Sequence, residues 1–301
     1  MTIQDLNPDV AAGIGALDLA ALSLDTLPLF RQTLPAVPLT DSVVRTEHLV
    51  PGDPPVPVRV HRAAGAEGAL PCVYSIHGGG YVIGRPHHSD EFCRRLNRRL
   101  GITIAAPQYR LAPEHPYPAA LEDCYAALKW LASLPSVDPT RVVIAGESGG
   151  GGVAAALAFM VRDRGEIEPV LQLLSYPMLD DRSVSNPAVA HRYRLWNERM
   201  NRFAWAAYLR GSDPDVAVPA RRNDLAGLPP AWIGTGTADL FYDEDVAYAE
   251  RLNDAGVPCH LEVVQGAFHG FDRVAARTAV ARAFFDSQCA AVQAALRAPT
   301  V

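Results

Sequence analysis

The sequence predicts an α/β protein built on a mostly parallel sheet with helices on both faces, and three observations carry that prediction. Short apolar, β-branched runs recur with helical stretches between them, the alternation of a parallel sheet whose neighbouring strands need crossover helices. One run, Val142-Val143-Ile144-Ala145, passes through Gly146-Glu147-Ser148-Gly149-Gly150 into the helix-forming Val153-Ala154-Ala155-Ala156-Leu157, which gives strand, sharp G-x-S-x-G turn and helix in succession. Another, Cys72-Val73-Tyr74-Ser75-Ile76, ends in His77-Gly78-Gly79-Gly80-Tyr81. Three glycines in a row pack no core but leave backbone N–H groups free to face an anion.

From the N-terminus, residues 1–40 alternate apolar clusters with Pro28, Pro35 and Pro38, and helical spacing over residues 16–30 predicts one or two short helices. Residues 43–50 and 56–61 alternate apolar with polar side chains, the pattern of a half-exposed antiparallel pair, and residues 51–57 supply the turn. Buried strands follow at 72–76, 102–106, 142–145, 171–174, 231–234 and 260–264, with helices near 88–100, 117–134, 150–163, 241–255 and 274–297. Residues 183–212 interrupt the rhythm with a long helical stretch holding His191, Tyr193, Trp196, Met200, Phe203, Trp205 and Tyr208. That segment is expected to form, with residues 1–40, a helical cap over one end of the sheet. No repeat or low-complexity tract divides the chain, so residues 1–301 read as a single domain.

Composition narrows the function classes. Of 301 residues, 49% are hydrophobic and 20% charged, which suits a globular chain with a sizeable core. A net charge of −6 argues against a nucleic-acid or anionic-membrane partner. Without a basic N-terminal region or a long uncharged apolar run, neither a signal peptide nor a membrane span is expected, and the cytoplasm is the expected location. Cys72, Cys93, Cys124, Cys259 and Cys289 are odd in number and contain no C-x-x-C pair, the pattern of reduced thiols.

At the G-x-S-x-G turn, Gly146 and Gly150 would spare Ser148 the Cβ clashes of a tight elbow. An ordinary Gly-rich βα turn is the plain alternative. A dinucleotide fingerprint, Gly149-x-Gly151-x-x-Ala154, is set aside because residues 170–177 offer no acid to close the next strand. The glycines at 78–80 would suit a phosphate cradle, but no Lys-Ser/Thr follows as a P-loop needs. Standing about 70 residues before a serine elbow, they point instead to an oxyanion hole of the lipase and esterase kind.

A serine nucleophile needs a base, and the base an orienting carboxylate. Downstream, His191 falls in the insertion and His260 inside a strand pattern. His269 lies in the loop Gly266-Ala267-Phe268-His269-Gly270-Phe271, where an imidazole can overhang the elbow. Asp239 follows the strand at 231–234 and is better placed than Asp243, which with Glu244 and Asp245 begins a helix where acids suit the dipole. His87-His88-x-Asp90 sits at a helix start with Ser89 and Asp90 as capping residues, so no metal is expected there. Arg94, Arg95, Arg98 and Arg99 read as a solvated helix face.

Taken together, HGGGY at 77–81, YRLAPEHPYPAA at 109–120, GESGG at 146–150, YPMLD at 176–180 and FHGF at 268–271 resemble the hormone-sensitive-lipase family, the bacterial esterase branch of the α/β-hydrolase fold. Leu228-Pro229-Pro230-Ala231, leading to Asp239-Leu240-Phe241-Tyr242-Asp243-Glu244, is similar to its acid-bearing motif. The likeness runs in order from about residue 40 to the C-terminus. It implies Ser148 as nucleophile, Asp239 as acid and His269 as base, with Gly79, Gly80 and Gly149 donating the oxyanion-hole N–H groups. It also implies carboxylic-ester hydrolysis through an acyl-enzyme, with no metal or cofactor. The chain departs from the family in having Glu147-Ser148-Gly149 where many members have Asp-Ser-Ala, and Leu240 and Tyr242 where Pro and Arg are common.

Two other uses of the scaffold stand beside this one. The same triad can cleave amides or carbamates. A ligand receptor is the other, although plant gibberellin receptors, which resemble the family, lack the histidine that His269 supplies here. Inward-facing Trp196, Phe203, Trp205 and Tyr208 would favour short acyl chains, about C2 to C8. In the family's strand order Cys259–Val264 is an edge strand without interior Pro or Lys, which predicts a two-fold homodimer through it.

Overall fold

In the computed structural model, which describes residues 6–11, 22–32, 42–188 and 190–297, the apolar runs pair into one eight-stranded sheet. The strands are β1 (Val43–Val50), β2 (Val56–Ala63), β3 (Leu70–Ile76), β4 (Thr103–Pro107), β5 (Val137–Glu147), β6 (Leu171–Ser175), β7 (Ala231–Gly236) and β8 (Cys259–Val264), in the order β1-β2-β4-β3-β5-β6-β7-β8. β1 and β2 pair antiparallel, as does β2 with β4; the remaining pairs are parallel.

Side-chain alternation along each strand sorts the core into two layers. Tyr74, Ile76, Val142 and Ile144 pack with α4 (Ala119–Ala132), α5 (Gly149–Arg164) and α8 (Tyr242–Asp254). Val73, Val143 and Ala145 point the other way, to α3 (Asp90–Leu100) and α10 (Ala279–Arg297). Strands buried on both faces leave no polar register, which is why they read as unbroken apolar runs. Among the described residues no helix is long and apolar enough to cross a membrane, and all five cysteines are free.

Several local expectations are corrected. Neither Ser89 nor Asp90 caps α3 with its side chain. Asp90 is buried and receives Arg45 at 2.9 Å and Arg59 at 2.7 Å, with His61 3.3 Å away. Two guanidinium groups outcompete one backbone N–H for a desolvated carboxylate, so Asp90 ties the hairpin to α3. The arginine face is only partly solvated: Arg95 lies 3.9 Å over the Phe285 ring, and Arg94 pairs with Glu91. His260 lies in β8 as expected, with its side chain exposed.

The stretch 183–212 is mostly irregular. Its helix α6 spans only Glu198–Leu209, started by Asn197, whose side chain accepts from the Met200 N–H at 3.0 Å, and the short α7 (Pro214–Ala217) follows it. Of residues 1–40, α1 (Pro8–Ala11) and α2 (Leu27–Gln32) are seen, and the expectation for residues 12–21 lies outside the described residues. The final helix is split into α9 (Phe271–Val274) and α10, where the Thr278 hydroxyl accepts from the Ala281 N–H at 3.2 Å.

The candidate active site

Ser148 sits where β5 turns into α5, at φ 54° and ψ −125°, a left-handed conformation that costs a non-glycine residue about 1–3 kcal/mol. The surroundings over-determine it. The Ser148 N–H donates to Ser175 O at 3.0 Å, and its carbonyl accepts from Met178 N at 2.9 Å and Gly152 N at 3.1 Å. A Cβ on Gly150 would run into the carbonyls of Ile76 and His77, so α5 can approach β3 this closely only with glycine there. Glu147, on the other side of Ser148, accepts from Ser89 Oγ at 3.2 Å and from Arg273.

Loops from the next strands bring the partners. His269 follows β8; its Nε2 lies 2.9 Å from Ser148 Oγ, and its Nδ1 lies 2.8 Å from Asp239 Oδ2. Asp239 follows β7 and is steadied by the Phe241 N–H, 3.0 Å from Oδ1. All three groups are buried. Asp243 is exposed on α8, and His191 and His260 have no part in this run of bonds. A hydroxyl, an imidazole and a carboxylate joined this way can pass a proton from the hydroxyl to the ring while the carboxylate holds the ring's tautomer.

The glycine turn lies against Ser148. Gly79 and Gly80 have φ of 123° and 55°, and an ideal Cβ on Gly149 would fall 2.7 Å from Gly80 N, so these backbones are adjacent. Among the described residues the N–H groups of Gly79 and Gly80 donate to no protein acceptor. His77 supports the turn, and burial pushes its imidazole pKa down to about 4. It stacks on Tyr109, whose hydroxyl donates to His77 O at 2.7 Å.

Four features escape sequence reading. The Trp196 ring covers Gly80 so closely that a Cβ there would enter it. Tyr81 stacks on Tyr208 at 4.1 Å and leans on Trp205 at 5.0 Å, which fixes α6 beside the glycine turn. Phe241 and Tyr176 pack against the His269 ring at 5.1 and 4.9 Å, and Tyr176 donates to Asp272 at 2.8 Å. Finally, Glu244 and Asp245 do more than favour a helix dipole. Glu244 accepts from Leu179 N at 2.6 Å and from Ser183 Oγ. Both Asp245 oxygens, by contrast, are buried without a donor among the described residues.

Comparison with known proteins agrees with this geometry. Residues 73–273 match the family described as an α/β-hydrolase fold. The chain is 33% identical over 282 residues to the carboxylesterase NlhH of Mycobacterium tuberculosis, covering 89% of this chain and 86% of that protein. Its structure is similar to that of the esterase LipW from Mycobacterium marinum, with a TM-score of 0.87 and 31% identity over 99% and 98% of the two chains. It is also similar to a bacterial heroin esterase, with a TM-score of 0.86 and 32% identity over 99% and 100%.

Proposed function

The chain belongs to the α/β-hydrolase family, in the esterase branch related to hormone-sensitive lipase, and from that premise we propose that Ser148, His269 and Asp239 are its catalytic triad. The protein is a carboxylic ester hydrolase acting on small-molecule esters. The observation that carries the assignment is the unbroken run of 2.9 and 2.8 Å bonds from Ser148 through His269 to Asp239.

His269 Nε2 takes the Ser148 proton as Oγ attacks the ester carbonyl, and the N–H groups of Gly79, Gly80 and Gly149 hold the oxyanion. The imidazolium then protonates the departing alcohol. Water then attacks the acyl carbonyl as His269 takes its proton, and the imidazolium returns that proton to Ser148 Oγ as the Ser148–acyl bond breaks and the acid leaves. Asp239 holds the imidazole's tautomer and stabilises its charged form. The test is covalent labelling with a fluorophosphonate. Peptide mass mapping should find the adduct on Ser148 alone, and labelling that persists in Ser148→Ala would displace the assignment.

Residues 183–212, with the N-terminal segment, act as the cap. The Trp196 ring packed on Gly80 supports a preference for short esters, about C2 to C8.

The edge strand β8 supports a homodimer. Among the described residues no strand pairs beyond it, and its interior lacks Pro and Lys. Isologous pairing about a two-fold axis would satisfy its open N–H and C=O groups. Light scattering at micromolar concentration should give twice the 32.4 kDa chain mass, and the monomer mass would reject the dimer.

A further inference from the structure

Arg31 lies on α2, in the segment before the sheet, yet its side chain closes on the glycine turn. Its Nε donates to Val82 O, 51 residues away, at 2.9 Å. Its Nη2 donates to Ala112 O at 2.9 Å, and the two terminal nitrogens grip both Glu114 oxygens at 2.7 and 2.8 Å. Val82 is the return limb of the turn: the Val82 and Ile83 N–H groups both donate to Gly79 O, at 3.1 and 2.9 Å. The Ala112 N–H donates to Tyr81 O at 3.0 Å, so the guanidinium bridges the two strands of loop that frame Gly79–Tyr81.

A planar trans peptide turns its C=O and N–H in opposite directions. Gly79 O and Gly80 N belong to one such peptide. While Gly79 O faces Val82 and Ile83, Gly80 N–H must face the other way, and Gly80 N lies beside Gly149, the residue after Ser148. Nothing in the glycines themselves enforces this, because Gly79 and Gly80 tolerate either orientation. Fixing Val82 therefore fixes the peptide, and the group that fixes the Val82 carbonyl is Arg31.

We propose that Arg31 is a positioning residue for ester hydrolysis, holding the Gly79–Gly80 peptide with its N–H aimed at the developing oxyanion. The inference rests on the reading of Gly80 as an oxyanion donor, and the test separates the two. A trifluoromethyl ketone forms a tetrahedral oxyanion on a serine nucleophile and so reads the donors directly. If the wild-type enzyme is not inhibited by it, the oxyanion reading itself fails.

If the wild type is inhibited, Arg31→Gln should lower kcat by about tenfold and weaken the ketone by a similar factor, with the pH profile of kcat unmoved. Removing a whole donor costs about 100-fold or more, and a loosened one is still present part of the time. Glu114→Gln, which leaves the carbonyl contacts of Arg31 in place, should stay within about threefold. The inference is overturned if Arg31→Gln alters KM but leaves kcat and ketone affinity within twofold, since Arg31 would then only dock the N-terminal segment. It is equally overturned if Glu114→Gln is as damaging as Arg31→Gln. Should Arg31→Gln not fold, Arg31→Lys carries the same readouts: a loss of threefold or more in both supports the inference, and unchanged values reject it.

Discussion

Beneath Ser148 the chain is held by main-chain bonds to Ser175, Met178 and Gly152 and by glycines that admit no side chain, whereas above it Trp196, Tyr208 and Arg31 reach in as side chains from segments outside the sheet. The lower half has no slack, because any added atom at Gly150 meets backbone. The upper half is built of side chains, so a substitution there removes a contact without inserting an atom into backbone. On this reading backbone holds the nucleophile from below, while the side chains above set selectivity and, through Arg31, the aim of the Gly80 N–H. The predictions below test that division, beginning with the largest effect.

Ser148→Ala and His269→Ala should each reduce acyl turnover to background, because triad members act as a unit. Asp239→Asn should cost about 10⁴ in kcat, as the corresponding change does in a serine protease, while Asp243→Asn on the exposed side of α8 should be mild. The reverse order for the two aspartates would sink the acid assignment.

A smaller effect is expected from Trp196→Leu, which opens space at Gly80 without touching the backbone. The wild type should favour a C4 over a C16 nitrophenyl ester. The variant should shift that ratio toward the longer ester by about tenfold while keeping C4 turnover within the same factor. A variant with unchanged selectivity would remove Trp196 from the pocket, and a variant dead on both esters would show that the upper half is no more forgiving than the lower.

The smallest effect concerns two acids at one junction. Asp239 has His269 and the Phe241 N–H as partners, whereas Asp245, six residues on, has both oxygens buried beside Thr235 with no well-formed hydrogen bond among the described residues. Burial pushes the Asp245 pKa well above the usual carboxylate value. Its neutral form therefore belongs to the fold. The stability linked to it is complete below the unfolded-state pKa and is lost as pH rises through the folded-state one. Asparagine cannot ionise, so the Tm advantage of Asp245→Asn over the wild type should widen from pH 5 to pH 9. A gap that stays constant or narrows would mean that Asp245 is charged in the fold.

The same division explains how far the sequence could be read. Gly146, Gly150 and the run 78–80 are legible because close backbone approach demands glycine, and the demand appears at fixed spacing from Ser148. His269 and Asp239 are legible because strand ends are marked by composition, and the family's motifs then single out these two. The cap is not legible in detail: residues 183–197 follow no regular period, so nothing local says that Trp196 covers Gly80. Ser89 and Asp90 look like caps by a local rule, and that rule loses to arginines supplied by β1 and β2. The Arg31–Val82 bond spans 51 residues and leaves no local trace.

The distance along the chain between Ser148 and His269, 121 residues, has a consequence for how the molecule comes into being. β5, β6, β7 and β8 must all pair in parallel before the imidazole reaches the hydroxyl, and parallel pairing over long separations is slow because loop closure precedes its reward. No early, locally formed species can contain the relay. During refolding, ester turnover will be among the last signals to return, later than helix content, and its recovery will count the molecules that have completed the sheet.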